Sequence, residues 1–440
     1  TEASRQEPDM TQTFDTIIVG AGMVGAALAT GLGQQGIRVA LIDQASPARY
    51  QPDSHPDIRV SALSAGSERY LTSLGAWPRI LAMRATPYCR LAVWDETPNP
   101  LKRLIPQSLT EVEFDANSLS APHLGHIVEN SITQLALWQT AETEPDVTLI
   151  TGHSVRDLSQ GAEYATVTLD DGSQVQAQLV VGADGAMSRV RELAGIGVTR
   201  DQYEQQAMVI SVRYRGGVED ITWQGFYPSG PRAFLPLHSA GEQHPGESWG
   251  SLVWYDHPAR LDELKAMDEQ QLMAEIQQHF PERLPELTYI DARASFPIAR
   301  QHAKHYYQNR VVLAGDAAHT INPLAGQGVN LGFQDAQCLQ GVLKEARRGG
   351  EDLASAHWLK LYEHRRRPAN QRMMLTMDLF YHLFSNAIPP VHLARNLGLG
   401  AARVLPFARN RVARYAMGLD EQLPAPIQQI VNRLPGLGGL

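Results

Sequence analysis

The sequence predicts an α/β protein: a parallel-sheet domain whose chain is interrupted by a second, antiparallel sheet, followed by C-terminal helices. Three observations predict it. Residues 14–43 read as one strand–helix–strand unit. Two further strand-then-glycine-turn units recur at ATVTLDDGSQVQAQLVVGADG and RVVLAGD. Between them, residues 205–296 change to aromatic strand-like runs.

In the first unit, the apolar strand FDTIIV precedes a glycine turn, a small-residue helix from Met23 to about Gln34, and a second strand, RVALID, ending at Asp43. In the second unit, alternation on both sides of Asp171-Gly172 predicts a hairpin leading into a buried strand at Leu179–Val181. The third strand, 310–315, precedes Asp316, a Pro/Gly-rich loop and a helix from about Gly328 to Arg347, stopped by Gly349-Gly350. MVISVRY, ITWQGFY, RAFLPL and WGSLVWY predict an antiparallel sheet packed by Trp223, Phe226, Phe234, Trp249 and Trp254, with one helix at 261–280. The weaker strand pattern at 84–115 joins this second domain. The expected division is therefore 10–83, 116–204 and 297–360 for the first domain, 84–115 and 205–296 for the second, and 361–440 for the helical region.

Composition narrows the function classes. The chain has 440 residues with a formal net charge of −9, so its overall field repels phosphate backbones and excludes general nucleic-acid binding. Cys89 and Cys338 are the only cysteines and stand far apart, which predicts two reduced thiols rather than a zinc cluster or disulfide framework. The opening TEASRQEPD lacks the basic start and apolar run of a signal peptide, with Met10 a candidate start, and no apolar run reaches membrane-spanning length. The expectation is a cytoplasmic protein, soluble or peripheral to the inner membrane. Residues 360–414 nevertheless carry 10 Lys/Arg against Glu363 and Asp378. Met373, Met377 and Tyr381 share a helical face there, while Met374 and Asp378 make a less apolar one. Two readings stand: attraction to an anionic bilayer, or a helical layer packed on the first domain or another subunit.

Gly20-x-Gly22-x-x-Gly25 sits where a Rossmann dinucleotide fingerprint belongs, with Asp43 ending the next strand. Gly20 permits the tight turn, Gly22 lets a pyrophosphate approach the helix N-terminus, Gly25 allows close helix packing, and Asp43 can accept from ribose hydroxyls. The fingerprint alone leaves FAD and NAD open. The turns at Asp184 and Asp316 favour an extended cofactor: Asp316 suits a ribityl hydroxyl, and backbone N–H groups around Gly328, Val329 and Asn330 suit an isoalloxazine edge.

GAGMVG, GADG and GDAAHTINPLAGQGVNLGFQDA occur in an order that resembles the class A FAD-dependent aromatic hydroxylases, the p-hydroxybenzoate-hydroxylase-like fold. HPDIRVSALS, GHIVENS, SLVWYD and MDLFYHLFSNAIPPVHLARNLGLG are similar to the ubiquinone-biosynthesis branch, over residues 14–420 in all. The resemblance implies a discontinuous Rossmann-type FAD domain, a substrate domain and C-terminal helices. It implies FAD held by Gly20, Gly22, Gly25, Asp43, Arg59, Asn130, Asp184, Asp316, Gly328, Val329 and Asn330. Asn130 falls where relatives often place a polar or basic side chain, and Asp184 is expected to brace its loop. Pro323, Leu324, Ala325 and Gly326 would face the flavin. NAD(P)H is the implied electron donor and O2 the cosubstrate, with oxygen delivered from a flavin C4a-hydroperoxide to a polyprenylated quinol or phenol. The demethoxyubiquinol ring is the first substrate reading; the C5 position of 2-polyprenylphenol is the alternative, and a flavin-dependent dehydrogenase a more distant one.

His319, and His123 with His126, match no metal or nucleophile motif; His319 reads first as a structural or polar-network residue, with cofactor-adjacent and acid–base roles as alternatives. An apolar groove between the 205–296 sheet and the C-terminal region is expected to take the prenyl tail. Whether Arg232 or Arg293 faces the ring stays open. A membrane surface, a biosynthetic complex and a homo-oligomer are the partners considered.

Overall fold

A computed structural model describes residues 12–96, 111–321 and 328–385. Strand Gln12–Val19 carries the continuous β-branched run Ile17-Ile18-Val19, buried on both faces as an interior parallel strand must be. It pairs in parallel with Val39–Asp43 on one side and Gln174–Gly182 on the other. Val147–Thr151 and Val311–Leu313 extend the parallel array outward. Ala165–Leu169 folds back antiparallel onto Gln174–Gly182, the hairpin expected around Gly172, and Val155–Gln160 lies beside it.

Helix Met23–Gly33 is small and apolar all round because it is covered all round. Gly25 to Gly33 are buried beneath helices Asn130–Glu142 and Gly328–Arg348. Each fully buried Leu or Ile here, such as Ile17, Leu28 and Leu32, contributes ~1.5–3 kcal/mol.

The second sheet runs in the order 319–320, 287–303, 198–215, 247–256, 230–239, 221–227, 90–95, 111–115. Its pairings are antiparallel except between 221–227 and 90–95, which are parallel. One face buries Trp94, Trp223, Phe234 and Trp254 against two helices. The single helix expected at 261–280 is in fact two, Pro258–Ala266 and Glu269–His279. Asp268 caps the second: its carboxylate accepts from the Gln271 backbone N–H at 2.8 Å while the Gln271 side chain accepts from the Asp268 N–H at 3.2 Å. That reciprocal box starts a helix afresh, and the Asp-x-x-Gln spacing was its readable signal.

A small third sheet joins Val60–Ser64, Gly125–Glu129 and Thr86–Tyr88. Strands Val198–Arg215 and Leu287–Ala303 are long enough to run through positions 204/205 and 296/297, so they carry the chain between the two sheet regions without a linker. Helix Ala356–Ser385 continues through Pro368. Its Met373 and Met374 are buried with Ile321 and Leu331, and Arg366 with Asp335, so this part of the basic region packs on the body of the protein. No helix among the described residues is long and apolar enough to cross a membrane.

Candidate active site

Val19, Ile42, Gly182 and Leu313 stand side by side across four adjacent parallel strands. The residues that follow them, Gly20, Asp43, Ala183-Asp184 and Ala314 to Asp316, therefore leave the sheet together at its C-terminal edge, where open α/β sheets bind ligands. Gly20 adopts φ +97°, and a Cβ there would lie 2.4 Å from the Ala183 carbonyl oxygen. A Cβ at Gly25 would lie 1.9 Å from the Gly20 carbonyl oxygen, so the helix start packs directly on the turn. Gly22 has open space beside it. The turn is held from behind by Gln134 Nε2 and Trp138 Nε1, which both donate to the Ala21 carbonyl at 2.9 and 2.6 Å. Asp43 accepts from Ala21 N–H at 2.6 Å, which aims its carboxylate across the turn.

One cavity of about 1530 Å³ begins at this edge and continues over the antiparallel sheet. Gly20, Gly22, Asp43, Arg59, Asn130, Asp184, Asp316, Gly328 and Val329 all line it. Gly25 and Asn330 stand behind it. The Asn330 side chain is buried and committed: its Oδ1 accepts from Ser64 N–H at 3.0 Å and Ser67 Oγ at 2.6 Å, and its Nδ2 donates to Ala62 O at 2.9 Å. It fastens helix 328–348 to strand 60–64, so its side chain is spent on holding the two elements together. Pro323, Leu324, Ala325 and Gly326 lie outside the described residues.

Asp184 braces its own loop, accepting from Ser188 Oγ at 2.5 Å and from the N–H groups of Arg189 and Val190. Asn130 accepts from Ser61 Oγ at 2.7 Å and lines the cavity. The Arg59 guanidinium sits 5.9 Å above the Phe296 ring. Asp316 opens to the cavity but is walled by protein elsewhere. Burial raises its carboxyl above the usual range, with His319 and Arg59 opposing that rise.

Three groups of functional side chains carried no motif. Glu129 and Arg84 form a buried ion pair at 2.6 Å that also ties down the 52–57 segment before Arg59. Asp335 is fully buried and accepts from Gly315 N–H, Arg366 Nε, Asn370 Nδ2 and His319. Burial alone would raise its carboxyl, yet His319 and Arg366 outweigh that and hold it far below the usual carboxylate range. His319 is thus a brace for the Asp316 turn, as expected of a network residue. His123 and His126 share the Glu68 carboxylate at 2.7 and 2.6 Å. Arg232 turns away from the cavity onto Tyr227 and Trp254, and Arg293 donates to Met267 O.

Beyond Asp316 the cavity becomes apolar: Tyr88, Leu91, Phe114, Leu124, Leu235 and Val253 are among its walls. The dinucleotide cradle, the open space at Gly22 and this extended cavity fit FAD. When bound, FAD would supply the redox and oxygen-transfer chemistry, and the surrounding residues are those that would hold it, exclude water and orient a ring beside it.

The chain belongs to the FAD binding domain family, whose model matches residues 13–376, and it is an FAD-dependent aromatic-ring monooxygenase. The 3-demethoxyubiquinol 3-hydroxylase of Escherichia coli is 47% identical over 409 residues, 93% of this chain and 99% of that protein. The ubiquinone hydroxylase UbiL of Rhodospirillum rubrum is 34% identical, covering 94% and 91%. Among solved structures, the p-nitrophenol 4-monooxygenase PnpA of Pseudomonas putida overlays with a TM-score of 0.71 at 19% identity, covering 96% of this chain and all of that one. PqsL of Pseudomonas aeruginosa overlays at 0.70 and 22% identity, covering 88% and 99%. These two share the fold.

Proposed function

We propose that this chain hydroxylates the ring of a polyprenylated demethoxyubiquinol, with FAD as cofactor, O2 as cosubstrate and NAD(P)H as electron donor. The observation that carries the reading is the continuity of one cavity from the Gly20–Asp43 cradle, past Asp316 and Gly328, into an apolar chamber on the second sheet. The name of the 47% identical relative supports the ring chemistry.

In this reading Gly20 and Gly22 admit the pyrophosphate, Asp43 accepts from the ribose, and Arg59 pairs with phosphate or the ribityl region. Asp316 meets the ribityl chain, Asn130 donates its amide, and the N–H groups at Gly328, Val329 and Asn330 face the isoalloxazine edge. Pro323 to Gly326 are the proposed flavin-facing loop. The parallel-sheet region acts as the FAD-binding domain and the antiparallel region as the substrate domain. The chamber takes the proximal prenyl units, at ~0.8 kcal/mol per buried methylene, and leaves the rest of the tail for a bilayer or partner protein. Apart from the stretch around Arg366, Met373 and Met374 that packs on the body, the basic run 360–414 is the segment proposed to meet an anionic membrane surface or a biosynthetic complex.

The test is incubation of FAD-loaded protein with short-chain demethoxyubiquinol and 2-polyprenylphenol, a reductant and ¹⁸O₂, followed by product mapping. One ¹⁸O on the demethoxyubiquinol ring is expected. Label only at C5 of the phenol selects the alternative substrate, and turnover without label means the enzyme acts as a dehydrogenase.

A further inference from the structure

SLVWYD, one of the segments similar to the ubiquinone-biosynthesis branch, forms part of strand Glu247–Asp256. Its alternation divides it cleanly: Leu252 and Trp254 enter the core behind the sheet, while Ser251, Val253 and Tyr255 line the cavity. Ser251 is 2% exposed, and its Oγ has no hydrogen-bond partner among the described residues. Ser211, its register partner on strand Val198–Arg215, is 1% exposed and has an equally unpartnered hydroxyl. Their neighbours along the same face are apolar: Ala207, Val209, Ala233, Leu235 and Val253.

A buried hydroxyl without a partner costs stability, and alanine, which lacks only that oxygen, would avoid the cost. Ser251 lines the apolar ligand chamber with Ser211 opposite it in the sheet, so its unpartnered hydroxyl points to a partner that arrives with the ligand. The Ser251 Oγ is itself buried, and rotation about χ1, the only heavy-atom torsion a serine side chain has, is the movement by which it would reach a bound ring. A hydroxyl can donate to an ether oxygen or accept from a phenolic O–H.

We infer that Ser251, backed by Ser211, is a specificity-determining residue that hydrogen-bonds one oxygen substituent of the substrate ring. The inference rests on the proposed ring substrate and adds how the ring is told apart from less oxygenated ones. A site that hydrogen-bonds a substrate oxygen discriminates against the analogue lacking it, whereas an apolar wall discriminates little.

The test uses FAD-loaded wild type, Ser251→Ala, Ser211→Ala and Ser251→Thr, which keeps the hydroxyl. Dissociation constants are measured by tryptophan fluorescence for a short-chain demethoxyubiquinol and for analogues in which each ring oxygen in turn is replaced by carbon, the methoxy group by ethyl among them. Wild type should bind the parent at least tenfold more tightly than one of the analogues. Ser251→Ala should abolish that preference with its melting temperature equal to or above wild type, and Ser251→Thr should retain part of it. A preference that survives Ser251→Ala overturns the inference, as does a lowered melting temperature, which would make the hydroxyl a structural group. Failure of wild type to incorporate labelled oxygen into any ring sinks the proposed reaction instead, and the binding series reads Ser251 independently of it.

Discussion

Replacing Asp335 by Asn tests whether the buried network behind the Asp316 turn holds the site together. Asp335 is 0% exposed, and Arg366 Nε stands 2.8 Å from it with a side chain only 11% exposed. At that separation the gross attraction is on the order of 6 kcal/mol for an effective dielectric constant of 20. Most of this offsets the desolvation of both ions, but removing one partner strands the other, which costs about 3–5 kcal/mol. Asn keeps the shape yet loses the charge, and its amide N–H₂ faces donors on Gly315, Arg366, Asn370 or His319. Asp335→Asn should therefore destabilise by about 3–5 kcal/mol in urea unfolding followed by tryptophan fluorescence, a large share of a typical domain's 5–15 kcal/mol. It should also weaken FAD binding through the freed Gly315 N–H. Arg366→Met should be costly alone, and the double variant should lose at least about 2 kcal/mol less than the sum of the singles. A loss below about 1 kcal/mol for Asp335→Asn, or strict additivity, refutes the reasoning.

Gly25→Ala should raise the FAD dissociation constant at least 100-fold, about 2.7 kcal/mol, because its Cβ meets the Gly20 carbonyl; fluorescence titration of the apoprotein reads this directly. Asp316→Asn should weaken FAD binding at least tenfold while leaving the apoprotein at neutral pH as stable or more so. Burial makes its carboxyl harder to ionise in the fold than in the unfolded chain, a contribution to stability present at low pH and lost as pH rises past the raised value. His302, pushed down to about 3 by burial and then by His319 and Arg367, should make stability fall as pH drops from about 6.5 toward 3. The unfolded chain takes up a proton in that window and the native state does not, a slope of at most about 1.4 kcal/mol per pH unit that His302→Gln should flatten.

The parts of the fold that were legible in the sequence are those where a local pattern must satisfy a local requirement. The strand–turn–helix at 14–34, the hairpin around Gly172 and the helix from Gly328 each combine a hydrophobic period with a glycine. The helix break at Met267–Asp268 was legible in principle, but the apolar pattern on both sides concealed the capping box. The small sheet 60–64, 86–88 and 125–129 was not legible, since its three short strands are separated by up to about sixty residues and have no shared turn. Glu129 with Arg84, Gln134 and Trp138 on Ala21, and Asp335 with Arg366 are likewise ordinary residues whose partners stand far away in the chain.

Sequence by itself determined the chemistry available: a glycine fingerprint with Asp43, two further strand-end aspartates, and an aromatic sheet with no nucleophile or metal motif. Tertiary structure alone decided that these meet. Register across the parallel sheet brings Gly20, Asp43, Asp184 and Asp316 to one edge, and the long strands 198–215 and 287–303 carry the second sheet over that edge to enclose the chamber. It also decided which side chains are spent on support: Asn330 and His319 are bonded inward, and Ser251 stands in the chamber floor. The physical reason is that a residue's type limits what it can bond, but the distant elements packed around it determine which partner it finds.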